Sequence, residues 1–142
     1  MKHPSAMGRV LWIALVGLAA CGGDDKQRRE LVNDGEVCLR LQANGSVEVN
    51  VHFRGCLTSC DIAQPTSCAV AAEEGDEGTS LRVTSYGAVE TTGASVCTAN
   101  CGALRARCVS TDTFAPGEVT VRHGEDTAEL LLGARSQCLF SE

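Results

Sequence analysis

The sequence predicts an all-β chain folded as a small disulfide-stabilised β-sandwich, immunoglobulin-like or similar. Three observations carry this. Apolar residues alternate with polar ones in short runs, the period of a half-buried strand. Turn signals built on Gly, Pro and Asn-Gly separate those runs at short intervals. Eight cysteines follow Gly35, enough to staple a domain that is poor in aromatic residues. No stretch sustains a 3.6-residue period, so a helical class finds no support.

The first element in the chain is an address. Lys2, His3 and Arg9 make a positive start, and Val10 to Ala20 is an uncharged apolar run of eleven residues. A membrane-spanning helix needs about 20 apolar residues, so residues 1–20 read as a signal peptide. The run ends in Leu18-Ala19-Ala20-Cys21, which resembles the lipobox of bacterial lipoproteins. The resemblance implies cleavage before Cys21, a diacylglycerol on its thiol and an acyl chain on its new amino group. In that family an Asp directly after the cysteine retains the protein in the inner membrane. Gly22 stands there, with Asp24 and Asp25 only later, which implies the outer membrane of a Gram-negative bacterium. Residues 21–34 then read as the lipidated cysteine and a polar, flexible tether, and residues 35–142 as one cysteine-rich β domain.

Within the domain, Val37, Leu39 and Leu41 share one face of a first strand. Val47, Val49, Val51 and Phe53 share a face of the second, with Glu48, Asn50, His52 and Arg54 pointing away. Ala43-Asn44-Gly45 between them is a hairpin signal, because Asn-Gly accepts the positive φ of a tight turn. Further strands are expected at Leu81 to Tyr86, Glu118 to Val121 and Ala128 to Leu132, seven or eight in all. Glu73 to Gly78, Pro116-Gly117 and His123 to Asp126 read as turns; Cys101 to Cys108 fits either a helical turn or the start of a strand.

Charge and core size bound the function. Residues 21–142 carry 10 basic and 18 acidic side chains, a formal balance of −8. That disfavours nucleic acid, or an anionic membrane surface, as an electrostatic partner. The single Trp, Trp12, belongs to the signal segment. A hydrophobic core of this size is marginal alone, and four bridges of roughly 2–4 kcal/mol each would offset that.

The cysteines are the strongest chemical signal. Setting Cys21 aside leaves Cys38, Cys56, Cys60, Cys68, Cys97, Cys101, Cys108 and Cys138, an even number. Six of them form matching trios, Cys56/Cys60/Cys68 and Cys97/Cys101/Cys108, at offsets of 41, 41 and 40 residues. This repeat points to a duplicated β-unit. Eight cysteines allow about 105 connectivities, so the pairing stays open. The expectation is one bridge inside each trio, the remaining cysteines pairing with each other or with Cys38 and Cys138.

Two sharper readings of the same cysteines are weaker. A thiol-disulfide catalyst needs a low-pKa thiolate, usually in Cys-x-x-Cys opening a helix, whereas this chain has Cys-x-x-x-Cys. A zinc site fits the paired spacing, but an oxidising compartment and complete pairing oppose it. His52 and His123 read as surface residues near strand ends. The acidic stretch Glu73 to Gly78 lacks the Asp-x-Asp-x-Asp-Gly order of a calcium loop and reads as a solvated hairpin tip. No Gly-x-Ser-x-Gly elbow and no phosphate-cradling glycine loop is present.

A second resemblance rests on Val96-Cys97-Thr98-Ala99-Asn100-Cys101-Gly102-Ala103-Leu104, Arg107-Cys108 and Pro116 to Gly124. These runs resemble the small cysteine-rich lipoproteins of Gram-negative bacteria with large genomes. The resemblance implies lipidation and a disulfide-rich β domain, and transfers no catalytic residue. The functional expectation is a non-enzymatic envelope lipoprotein that binds or supports another envelope or extracellular protein. It is expected to need no cofactor or metal and to meet the membrane through its N-terminal lipid. The alternatives are a disulfide-scaffold inhibitor of a hydrolase, presenting Leu57 to Thr66 as a rigid loop, and a thiol-disulfide or metal-binding protein.

Overall fold

The computed structural model describes residues 26–73, 78–93 and 96–139. The signal segment, Cys21 and residues 22–25 lie outside the described residues, as do 74–77 of the acidic stretch. Among the described residues there are ten strands, and no helix is long and apolar enough to cross a membrane.

Two sheets pack face to face, as a sandwich should. The smaller contains β2 (Glu36–Leu41), β3 (Ser46–His52), β7 (Arg105–Thr113) and β10 (Gln137–Leu139), ordered β10-β2-β3-β7 and antiparallel throughout. The larger is organised on β6 (Ser80–Thr91). One edge of β6 pairs with β4 (Asp61–Ala63) and β5 (Ser67–Glu73) in succession. The other edge pairs with β1 (Gln27–Val32) along its second half and with β8 (Gly117–His123) along its first. β9 (Asp126–Leu132) closes the sheet against β8. The β6–β8 pair is parallel, a pairing that a chain of hairpins does not contain.

Alternation accounts for the core. Val37, Leu39, Val47, Val49 and Val51 of the smaller sheet meet Leu81, Val83, Val89 and Val121 of the larger, all essentially sealed from solvent. Gly87 lies in the middle of β6 because Phe53 and Leu104 pack onto it; a Cβ there would sit 2.8 Å from Leu104 Cδ2. The Asn-Gly hairpin forms between β2 and β3 as expected. Gly45 takes φ +85°, the Gly45 N–H donates to the Gln42 carbonyl, and Asn44 Oδ1 accepts from the Ser46 N–H.

Three expectations change. Ordered structure begins before Gly35, since β1 falls inside the stretch read as a tether. Its sequence, Gln27-Arg28-Arg29-Glu30-Leu31-Val32, has little apolar content, and only Leu31 is buried. What makes it a strand is its full register against β6, from Gln27 opposite Thr91 to Val32 opposite Tyr86. The strand count rises from seven or eight to ten, through β1 and the three-residue β4 and β10. Cys101 to Cys108 leads into β7 and contains no helical turn.

Candidate functional site

The eight cysteines of the domain form four bridges: Cys38–Cys138, Cys56–Cys101, Cys60–Cys97 and Cys68–Cys108. The expected bridge within each trio does not form. Residues 56–60 and 97–101 instead run alongside each other, and Leu57 and Gly102 exchange both backbone hydrogen bonds at 2.9 Å. Sulfurs in one segment therefore face sulfurs in the other. Under the repeat, Cys56 matches Cys97 and Cys60 matches Cys101. The bridges join Cys56 to Cys101 and Cys60 to Cys97, while Cys68 joins its own counterpart Cys108, so the pairing is reciprocal between the two trios. Cys38 and Cys138 lie directly opposite each other on β2 and β10 and pin the chain's last strand.

Asp61 locks this disulfide-clamped head to the end of β6. Its carboxylate accepts from the Thr58 N–H at 2.7 Å, the Thr58 hydroxyl at 2.9 Å and the Thr91 hydroxyl at 2.7 Å. These bonds, led by the Thr58 amide, hold the carboxyl below its usual range. The Thr92 N–H donates to the Cys60 carbonyl at 2.8 Å. Of the stretch from Leu57 to Thr66, Asp61 to Ala63 is thus committed as β4 to the edge of β6.

His123 is a correction to the sequence reading. It is 1% exposed, because the inward alternation of Val119 and Val121 continues to it before the chain turns at Gly124. Its Nε2 lies 2.8 Å from the hydroxyl of Ser85, also buried. Extending the β8 alternation by two residues would have found it; the charged run after it read as a turn instead. Ser85 is fixed by Asn33, whose Oδ1 accepts from the Ser85 N–H at 2.8 Å while its own N–H donates to the Ser85 carbonyl at 2.9 Å. Asn33 adopts φ +48° to do so, at the junction where β1 gives way to β8 along β6.

Burial lowers the His123 pKa from its ordinary value, with Asp126 and Asp34 opposing the shift at longer range. Among the described residues Nδ1 has no hydrogen-bond partner. A hydroxyl on an imidazole is the pairing of nucleophile and base. Here both groups are buried, and among the described residues no carboxylate bonds the second nitrogen; the contact satisfies His123 Nε2 and the Ser85 hydroxyl.

Glu48 lies on the outer face of β3, yet it is only 6% exposed. Arg107 Nη2 at 2.9 Å and Gln42 Nε2 at 2.7 Å meet its Oε2, as does Arg40 Nη2 at 3.1 Å; Asn50 Nδ2 meets Oε1 at 3.2 Å. The Arg107 hydrogen bond, then those of Asn50, Gln42 and Arg40, bring its carboxyl down to about 2. His52 is exposed at the end of β3.

Among the described residues one group combines ligand types at metal-binding distance, Glu36 with Cys38 and Cys138. Its two sulfurs are bonded to each other, which leaves the carboxylate alone as a ligand. At the opposite end of the sandwich from the Asp61 head, Pro116, Leu131, Leu132 and Ala134 line a shallow groove. No family model, no curated protein and no solved structure matches the chain.

Proposed function

We propose that this chain is an envelope lipoprotein, held in the outer membrane by acyl chains on Cys21. On this reading its sandwich binds or supports another envelope or extracellular protein and catalyses no reaction. One observation carries the reading. The eight cysteines after Gly35 pair completely among themselves, so Cys21 is left as the single cysteine outside a bridge. A chain that consumes every other cysteine in cross-links belongs in an oxidising compartment. The remaining cysteine stands directly after Leu18-Ala19-Ala20, where a lipid anchor would be attached. The Ser–His pair supports the non-catalytic part, because both side chains are buried, Ser85 at 4% and His123 at 1% exposed.

The direct test is Cys21→Ala in the full chain expressed in a Gram-negative host. The expected result is loss from the membrane fraction, with the four bridges intact on a nonreducing map. A variant that still pellets with membranes contradicts the reading.

A further inference from the structure

The chain leaves its anchor at one end of the sandwich, and the geometry fixes which end. Gln27, the first residue of β1, is paired with Thr91, the last residue of β6, and Thr91 is paired on its other side with Asp61 of β4. Gln27 therefore lies at the pole that carries Cys56–Cys101 and Cys60–Cys97. The other end of β6 begins at Ser80, opposite Glu73 and Thr120. Because β8 runs parallel to β6, its start at Gly117 lies further out still, with Leu131 and Leu132 opposite it on β9. The groove of Pro116, Leu131 and Leu132 thus marks the far pole.

Two lengths decide between the poles. The 12 residues of β6 span about 36 Å at roughly 3.3 Å per residue. Six peptide steps separate Cys21 from Gln27, and their covalent reach is at most about 22 Å. A chain anchored at Cys21 cannot bring Gln27 further from the lipid than that reach. The clamped pole is the one that its anchor holds near the membrane.

The surface of that pole suits the position. Val96, 81% exposed, is the large apolar side chain most open to solvent among the described residues. Leu131 at 57% lies at the far pole, whereas Ile62 at 48% lies with Val96 at this one. Charge there is balanced. Lys26, Arg28 and Arg29 are offset by Glu30, Asp61 and Glu90, with Arg28 set against Glu30 and Glu90, each at 3.5 Å. Asp24 and Asp25 belong to the link itself, and the strand face behind it carries no acidic excess of its own.

We infer that the disulfide-clamped pole rests on the bilayer, with Val96 and Ile62 in the lipid interface, and that the groove beside Leu131 points away from the membrane. This rests on lipidation of Cys21. The occupant of the Val96–Ile62 surface is a lipid bilayer, because the anchor keeps this pole within about 22 Å of the lipid, less than the roughly 36 Å length of β6 that separates it from the far pole.

Tryptophan reports it cleanly, since Trp12 is the single Trp and precedes the proposed cleavage site. Full-length Val96→Trp, Ile62→Trp and Leu131→Trp variants would be purified in acylated form, with acylation read by mass. Each would then be reconstituted in phosphatidylcholine vesicles with and without brominated chains. The expected result is quenching and a blue shift at 96 and 62, and neither at 131. Quenching at 131 alone, equal quenching at all three positions, or none at any overturns the orientation while leaving lipidation standing. Protein recovered without acyl chains overturns both.

Discussion

Cys68 of β5 is bonded to Cys108 of β7, and this is the one bridge that joins a strand of the larger sheet to a strand of the smaller. Their Cα atoms are 5.6 Å apart. Next to it, the Thr66 hydroxyl donates to the Arg105 carbonyl at 2.7 Å. Neither strand offers the other a backbone ladder, so the seam relies on the covalent link.

Replacing both cysteines, Cys68→Ala with Cys108→Ala, is expected to lower stability by about 2–4 kcal/mol. Chemical denaturation followed by circular dichroism measures it. The remaining bridges and both sheets should persist, so the native spectrum should survive in the absence of denaturant.

Acid should act in two separable steps. His123 binds a proton less readily folded than unfolded, so the unfolded state takes up the proton first as pH falls below about 6.5. Stability is therefore present above that value and declines below it. Glu48 acts lower: its carboxyl is held at about 2 against an ordinary 4.5, so the stability it confers is present above 4.5 and lost as pH falls towards 2. In denaturation curves across this range, His123→Leu should flatten the upper step and Glu48→Gln the lower. A single unaffected step in both variants would contradict the assignment.

Gly35 permits the turn from β1 into β2. It has φ +104°, and a Cβ there would lie 2.1 Å from the His52 carbonyl oxygen. Gly35→Ala is expected to cost on the order of 3 kcal/mol through backbone strain and displacement of β3. Gly78→Ala is the control: it shares a positive φ but among the described residues nothing lies within 4 Å of its Cβ. Thermal melts of the two variants, followed by circular dichroism, should show the smaller loss for Gly78→Ala.

How much of this could be read from residues alone follows from what set each element. The β2–β3 hairpin was legible because Asn44-Gly45 and the valines of β3 act locally. The sandwich was legible because alternation reports which face is buried. β1 was not, since Arg28, Arg29 and Glu30 carry no strand signal and their conformation comes from hydrogen bonds to a strand more than fifty residues away. The bridges were legible as a set but not as pairs. Cys56 and Cys60 are near in sequence, yet the chain between them runs beside residues 97–101, and only that long-range contact selects partners. Burial of Glu48 likewise depended on Arg107, which arrives from β7.

The measurement that bears most directly on the account is the intact mass of the protein extracted from membranes, before and after reduction. The expected species is a chain beginning at Cys21, carrying a diacylglycerol and an amide-linked acyl chain. Reduction should add eight hydrogens for the four bridges. A chain that keeps residues 1–20, or one that starts at Cys21 with an unmodified thiol, would contradict it.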